Sequence, residues 1–178
     1  MHPTHNTLPE QTRAQVIEIL SGRLMDSSDL YLQAKTAHWN VKGPNFIGLH
    51  KLFDKLAECA AEWSDLIAER LVQLGGQAEG TVQVVSERTS LEPYSPTIVD
   101  EHEHVHAISA ALARFGELVR DGIEKTDQLD DMGTSDLLID VARDVDKLLW
   151  LVEAHLGEEV AHSHAHRRTP ARGHSTRR

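Results

Sequence analysis

The stretch NFIGLHKLFDKLAECAAEWSDLIAERLVQLGG, residues 45–76, decides the fold. Apolar side chains recur there at Phe46, Leu49, Phe53, Leu56, Ala60, Trp63, Ile67, Leu71 and Leu74, in steps of three and four, the period of a helix with one buried face. Gly43-Pro44 breaks the chain before it, Asn45 is placed to cap it, and Gly75-Gly76 ends it.

Upstream, Thr7-Leu8-Pro9-Glu10 has the spacing of a capping box with proline in the first turn, and Val16, Leu20, Leu24, Tyr31 and Ala34 carry a first helix to about Val41. Downstream, a third periodic segment runs from about Pro96 through Ile108, Leu112, Phe115 and Leu118 to Thr126. A fourth runs from Ser135 through Leu138, Val141, Val145, Leu148 and Val152 to Leu156, after a turn at 130–134. Residues 75–97, rich in Gly, Ser, Thr and Pro, form a connection with room for one short helical turn. Short first and last connections make their flanking helices antiparallel neighbours. The second helix is roughly 43 Å long, and the middle connection reaches about 75 Å at full extension. It can therefore cross the whole bundle and leave helices two and three parallel. The expected fold is all-α, a ferritin-like four-helix bundle with one long crossover carrying a short extra helix, and no segment reads as a sheet. Residues 1–7 read as a flexible N-terminal segment, 8–161 as the bundle and 162–178 as a His/Arg-rich tail.

The 178 residues carry 18 Lys and Arg against 28 Asp and Glu, a net charge of −10. Residues 162–178 hold five Arg, four His and no acid, so the tail carries +5 and the preceding residues −15. An acidic body argues against a generally basic nucleic-acid binder and disfavours anionic membranes. The single cysteine, Cys59, makes no intrachain disulfide, and MHPTHNTLPE has neither the basic nor the apolar region of a secretory signal. No window approaches the ~18 to 20 continuous apolar residues of a membrane helix. A soluble, cytoplasmic protein is expected.

Four polar residues interrupt the second helix informatively. His50 and Asp54 stand four apart, as do Asp65 and Glu69, a spacing that puts each pair on one side. With His50 at zero and about 100° per residue, Asp54, Asp65 and Glu69 fall near 40°, 60° and 100°, on one stripe. Asp54 and Asp65 are nevertheless about 16 Å apart in rise, whereas ligand atoms lie about 2 to 2.5 Å from a metal. One chain cannot unite the pairs. Two copies of this helix packed antiparallel about a twofold axis near Ala60 would bring His50 and Asp54 of one to Asp65 and Glu69 of the other. Ala57, Ala61 and Ala68 on the same stripe would let the backbones approach. His38, at the end of the first helix, can add a second imidazole. Two imidazoles and three carboxylates without thiolate suit iron(II), manganese or zinc. The alternative is an ordinary solvated helix face, on which such pairs are common.

Thr36-Ala37-His38-Trp39-Asn40-Val41-Lys42-Gly43, then Phe46, His50 and Asp54, then Asp65-Leu66-Ile67-Ala68-Glu69-Arg70, closely resemble the signature of the Dps family, the mini-ferritins. Asp144-Val145-Asp146-Lys147-Leu148-Leu149-Trp150 extends the likeness, which covers about residues 10–156. The resemblance implies a hollow dodecamer built from twofold dimers that oxidises Fe(II), preferably with hydrogen peroxide, stores the ferric mineral and protects DNA from oxidative damage. It implies an intersubunit ferroxidase site of His38, His50 and Asp54 from one subunit and Asp65 and Glu69 from its mate, with iron bound and zinc or manganese as possible substitutes. Trp39 matches an aromatic beside that centre; an ordinary buried tryptophan is the alternative. Asp136, with Asp130, Asp131 or Asp140 nearby, resembles the family's acidic threefold pore, although Asp136 would also complement the positive end of a helix.

Glu101-x-x-His104, Glu103-x-x-His106 and Glu159-x-x-His162 have the spacing of core di-iron ligands, but they lie near helix ends among polar residues and read as solvated termini. His2, His5 and the run His162, His164, His166 could hold zinc, nickel or copper loosely, but flexible tail is the plainer reading. The arginines of 162–178 make DNA a possible partner, multiplied by copy number on one particle, and with it nucleoid association. The alternative function is then a nucleoid-condensing particle in which this tail dominates and iron oxidation is secondary. A solubilising or assembly-modulating extension is the plainer reading of the tail.

Overall fold

Proline sets where the first helix begins. In the computed structural model, which describes residues 1–156, Pro9 itself occupies the cap position with φ −53° and ψ 143°, and α1 runs from Glu10 to Asn40. Thr7 is therefore two residues outside the helix, and the expected capping box does not form. α2 spans Phe46–Gln73, α3 Val82–Arg88, α4 Glu101–Gln128 and α5 Met132–Glu153. No strand occurs among the described residues. The tail from 162 onward and Glu159-x-x-His162 lie outside them.

Two helix starts differ from the periodicity because side-chain caps outrank it. α4 begins at Glu101 rather than near Pro96, since the Asp100 carboxylate accepts from the backbone N–H of His102 at 2.9 Å and of Glu103 at 3.3 Å. α5 begins at Met132, ahead of Ser135, because Asp131 accepts from the N–H of Thr134 at 3.1 Å. The turn shrinks to 129–131, with Asp130 in the left-handed region at φ 58°.

The directions of the helices follow from their contacts. Asn45 at the start of α2 bonds Glu101 at the start of α4, and Trp63 stacks on Phe115 with ring centroids 5.7 Å apart. α2 and α4 are thus parallel. Arg70 near the end of α2 bonds Thr134 near the start of α5, so α2 and α5 are antiparallel. Residues 74–100 run the length of the bundle and carry α3, as the single-crossover reading requires. The crossover is pinned to α1 midway: the Ser90 N–H donates to Asp26 at 2.7 Å and the Thr89 hydroxyl to Asp29 at 2.8 Å. Arg23, 8% exposed, closes this cluster by pairing with the fully buried Asp26 at 2.9 Å and donating to the carbonyl of Leu118 at 2.7 Å.

The core is continuous, with Trp63, Phe53 and Phe115 its largest fully buried members. Two residues expected in the apolar face remain partly outside it: Tyr31 is 37% and Phe46 38% exposed. Leu32, Ile47, Leu66, Val72 and Val82 are exposed as well. The solvated reading of one Glu-x-x-His motif is also overturned. Glu101 and His104 are buried, because α4 turns that face toward the α1–α2 corner and the crossover, whereas Glu103 and His106 are exposed. No helix among the described residues is long and apolar enough to cross a membrane.

Candidate metal centre

The corner where α1 meets α2 is built by a glycine and a carboxylate. Gly43 has φ 146°, which L side chains rarely adopt, and a Cβ there would collide with Glu101 Oε2. That carboxylate accepts the backbone N–H of Asn45 at 3.1 Å and its side-chain amide at 2.9 Å. Asn45 makes no side-chain cap of its own helix, contrary to expectation; its Nδ2 instead donates to this charged acceptor on α4. The turn is thereby fastened to α4.

The turn sets two histidines face to face. His38 on α1 and His50 on α2 stack with centroids 3.8 Å apart and an interplanar angle of 21°. His38 Nδ1 donates to the His50 carbonyl at 2.8 Å, and His50 Nδ1 donates to the His38 carbonyl at 2.9 Å. A carbonyl can only accept, so each ring carries a proton on Nδ1, and in its neutral form presents an unprotonated Nε2. This tautomer is what a metal ligand requires, and a backbone hydrogen bond at the other nitrogen is the usual way of enforcing it. Phe46 lies against His50, centroids 5.0 Å apart.

Asp54 completes the cluster from the next turn of α2, with Oδ1 3.8 Å from His38 Nδ1 and 2.7 Å from Lys35 Nζ. The hydrogen bond from Lys35 chiefly holds this carboxyl below its ordinary range, aided by the nearby imidazoles and opposed by partial burial. It remains an anion and a ready donor. Lys35 also lies over the Trp39 ring, 5.8 Å from its centroid. Trp39 is 67% exposed, so it is not buried in the core of its own subunit. Lys35 was not singled out from sequence, although its position three residues before His38 puts both on one helix face.

Asp65 and Glu69 do not join this cluster. Both are exposed further along α2, and Asp65 opens onto a groove of about 450 Å³ lined by Tyr31, Leu32, Ala61, Ala68 and Val82. Among the described residues no three His, Cys, Asp or Glu side chains close around one point. Arg70 follows Glu69 and anchors this end of α2, donating to Asp131 at 2.7 Å and to Thr134 at 2.8 Å. Asp131, 2% exposed, is consumed by that anchor and by capping, so it cannot line a pore, whereas Asp136 is exposed and Asp140 pairs with Arg143.

The bundle with its parallel α2 and α4 is the ferritin-like architecture, and a family model described as a ferritin-like domain matches residues 17–160. The DNA protection during starvation protein of Agrobacterium fabrum is 40% identical over 158 residues, covering 89% of this chain and 98% of that one. The protein of the same name from Mycolicibacterium smegmatis is 34% identical, covering 87% and 86%. Among solved structures, Mycobacterium smegmatis Dps in a tetragonal form superposes with a TM-score of 0.81 at 32% identity, over 87% of this chain and 94% of that one. DpsC from Streptomyces coelicolor gives 0.84 at 29% identity, over 87% and 91%. The chain belongs to the Dps family of ferritin-like proteins.

Proposed function

We propose that this chain is a subunit of an iron-oxidising, iron-storing Dps particle in which His38, His50 and Asp54 of one subunit and Asp65 and Glu69 of its twofold mate form the ferroxidase site. The observation that carries this reading is the reciprocal pair of Nδ1 bonds between His38 and His50, which leaves the Nε2 of each ring for a metal, with the Asp54 carboxylate following one turn after His50 on α2. The exposed apolar face around Tyr31, Leu32 and Leu66, with Ala61 and Ala68 between, supports pairing with a second copy that brings Asp65 and Glu69. Iron(II) is the substrate, and zinc or manganese suit the same donors. Peroxide is the preferred oxidant in this reading because its two electrons can be drawn from two iron ions together, avoiding the one-electron cleavage that releases hydroxyl radical.

The chain's own groups prepare the site. Backbone carbonyls fix both imidazole tautomers, and Lys35 neutralises Asp54 until a cation takes its place. The acidic body draws cations toward the particle. Twelve subunits would enclose the ferric product, in the cytoplasm, and the names of the relatives make protection of DNA the corresponding role. A second reading, DNA condensation through the tail, rests on the five arginines of residues 162–178 and adds to the first. Removing those residues should abolish DNA retardation at low salt; surviving retardation would move the contact elsewhere.

Subunit complementation tests the shared site. His50→Ala/Asp54→Ala subunits and Asp65→Ala/Glu69→Ala subunits should each assemble and each lack rapid peroxide-dependent iron(II) oxidation. Co-expressed, mixed dimers contain one intact and one doubly damaged site, so about a quarter of the wild-type rate returns if pairing is random. A mixture as inactive as its parents would reject the intersubunit assignment, and full activity in either parent would reject the ligands.

A further inference from the structure

The crossover meets α4 at a pair of residues outside the candidate metal centre. The Tyr94 hydroxyl lies 2.5 Å from His104 Nδ1, at the short end of hydrogen bonding. His104 is 1% exposed, and its Nε2 has no hydrogen-bond partner. Tyr94 is half-buried, its ring roughly parallel to the imidazole, and it borders a groove of about 230 Å³ shared with Gln33, Pro93, Ala107 and Arg114. Gln33 holds the segment in place by donating to the Glu92 carbonyl at 3.1 Å.

We propose that Tyr94 and His104 form a redox-active pair, in which Tyr94 gives one electron to a strong oxidant while its phenolic proton passes to His104 Nδ1. An oxidised phenol is a very strong acid, so a tyrosine without a base in contact resists oxidation. Here the base is already hydrogen-bonded. Burial pushes the phenol up to about 12, so the ring enters the reaction protonated. Burial also lowers the basicity of His104, which starts neutral, while Glu103 and Asp100 oppose that effect and favour the imidazolium once formed. The balance is complete: the Tyr94 O–H bond breaks, an N–H bond forms at Nδ1, and the electron reduces the oxidant, for example hydroxyl radical to hydroxide. The products are a phenoxyl radical and an imidazolium, formed from groups that start 2.5 Å apart. Only the identity of the physiological oxidant, a radical from iron(II) that meets peroxide outside the shared two-iron site, rests on the iron-oxidising reading; the pair's chemistry does not.

The test supplies the oxidant without iron. Pulse-generated azide radical, a one-electron oxidant, is applied to the full-length assembled protein, and phenoxyl formation is followed optically and by freeze-quenched electron paramagnetic resonance. The chain has two tyrosines. Tyr94→Phe should abolish the dominant phenoxyl signal and Tyr31→Phe should leave it. His104→Gln should slow its appearance about a hundredfold, as expected for losing a positioned proton acceptor. A signal that survives Tyr94→Phe and disappears in Tyr31→Phe would overturn the proposal, as would an unchanged rate in folded His104→Gln. His50→Ala/Asp54→Ala should form the signal normally with azide radical, which separates this result from any failure of iron oxidation. Loss of the azide-driven signal in that variant would also overturn the pair's independence.

Discussion

Removing the Glu101 carboxylate should loosen the candidate metal centre from a distance. Glu101 is 5% exposed and accepts both Asn45 donors, at 3.1 and 2.9 Å. Hydrogen bonds to a charged group contribute roughly 1.5 to 3 kcal/mol each, but Asn45 is itself exposed and water can recapture its donors. We therefore expect Glu101→Ala to cost about 2 to 3 kcal/mol, less than the sum of two such bonds. Asn45→Ala removes only the side-chain donor, and because that side chain caps nothing in α2, it reports on the Glu101 contact alone. A double-mutant cycle between the two should give a coupling of about 1 kcal/mol. Unfolding in guanidinium at one fixed protein concentration measures all four species, the fixed concentration being needed because assembly adds to apparent stability. Zinc, as a redox-silent probe, should bind Glu101→Ala more weakly than wild type, since the same turn carries His38 and His50. A coupling within about 0.3 kcal/mol of zero, the scatter of independent sites, together with unchanged zinc affinity would refute the clamp.

The buried Arg23–Asp26 pair offers a second perturbation. Asp26→Ala strands the guanidinium and the Ser90 N–H, so stability should fall by about 3 to 5 kcal/mol, read by the same unfolding measurement; a loss under about 1 kcal/mol would mean that solvent reaches the cluster. Lys35 provides a third. Its bond holds the Asp54 carboxyl below the ordinary 3.8, so the stabilisation is present above that value and fades as pH falls through the lower folded one. The stability difference between wild type and Lys35→Met should accordingly be flat at neutral pH and shrink in acid, and a difference that grows in acid would show that Lys35 acts otherwise.

Helix type and order were legible because Leu49, Phe53, Leu56 and their neighbours repeat a strong period over long segments. Helix starts were less so, since Pro9, Asp100 and Asp131 each override the apolar pattern within a few residues. His38, His50 and Asp54 could be grouped from spacing because one tight turn joins their helices. Glu101 could not be read as a clamp: its partner Asn45 lies 56 residues away, and a glutamate in a first helical turn ordinarily faces water. Asp131 misled for a similar reason, its partner Arg70 being 61 residues distant. Lys35 was within reach of helical spacing, but a lone lysine carries no pattern until Asp54 is seen beside it.

Every candidate ligand lies on the α1–α2 hairpin, whose linking contacts are short in sequence: His38 and His50 are 12 residues apart, and Lys35 and Asp54 are 19. The bonds that dock the crossover and α4 span far more chain, 64 residues for Asp26 to Ser90 and 95 for Arg23 to Leu118. Closing the shorter loops costs less entropy, so the hairpin is favoured to form first. On the ribosome its imidazoles can meet while the third long helix is still being translated. A nascent chain would then expose paired histidines to metal before the bundle behind them has closed.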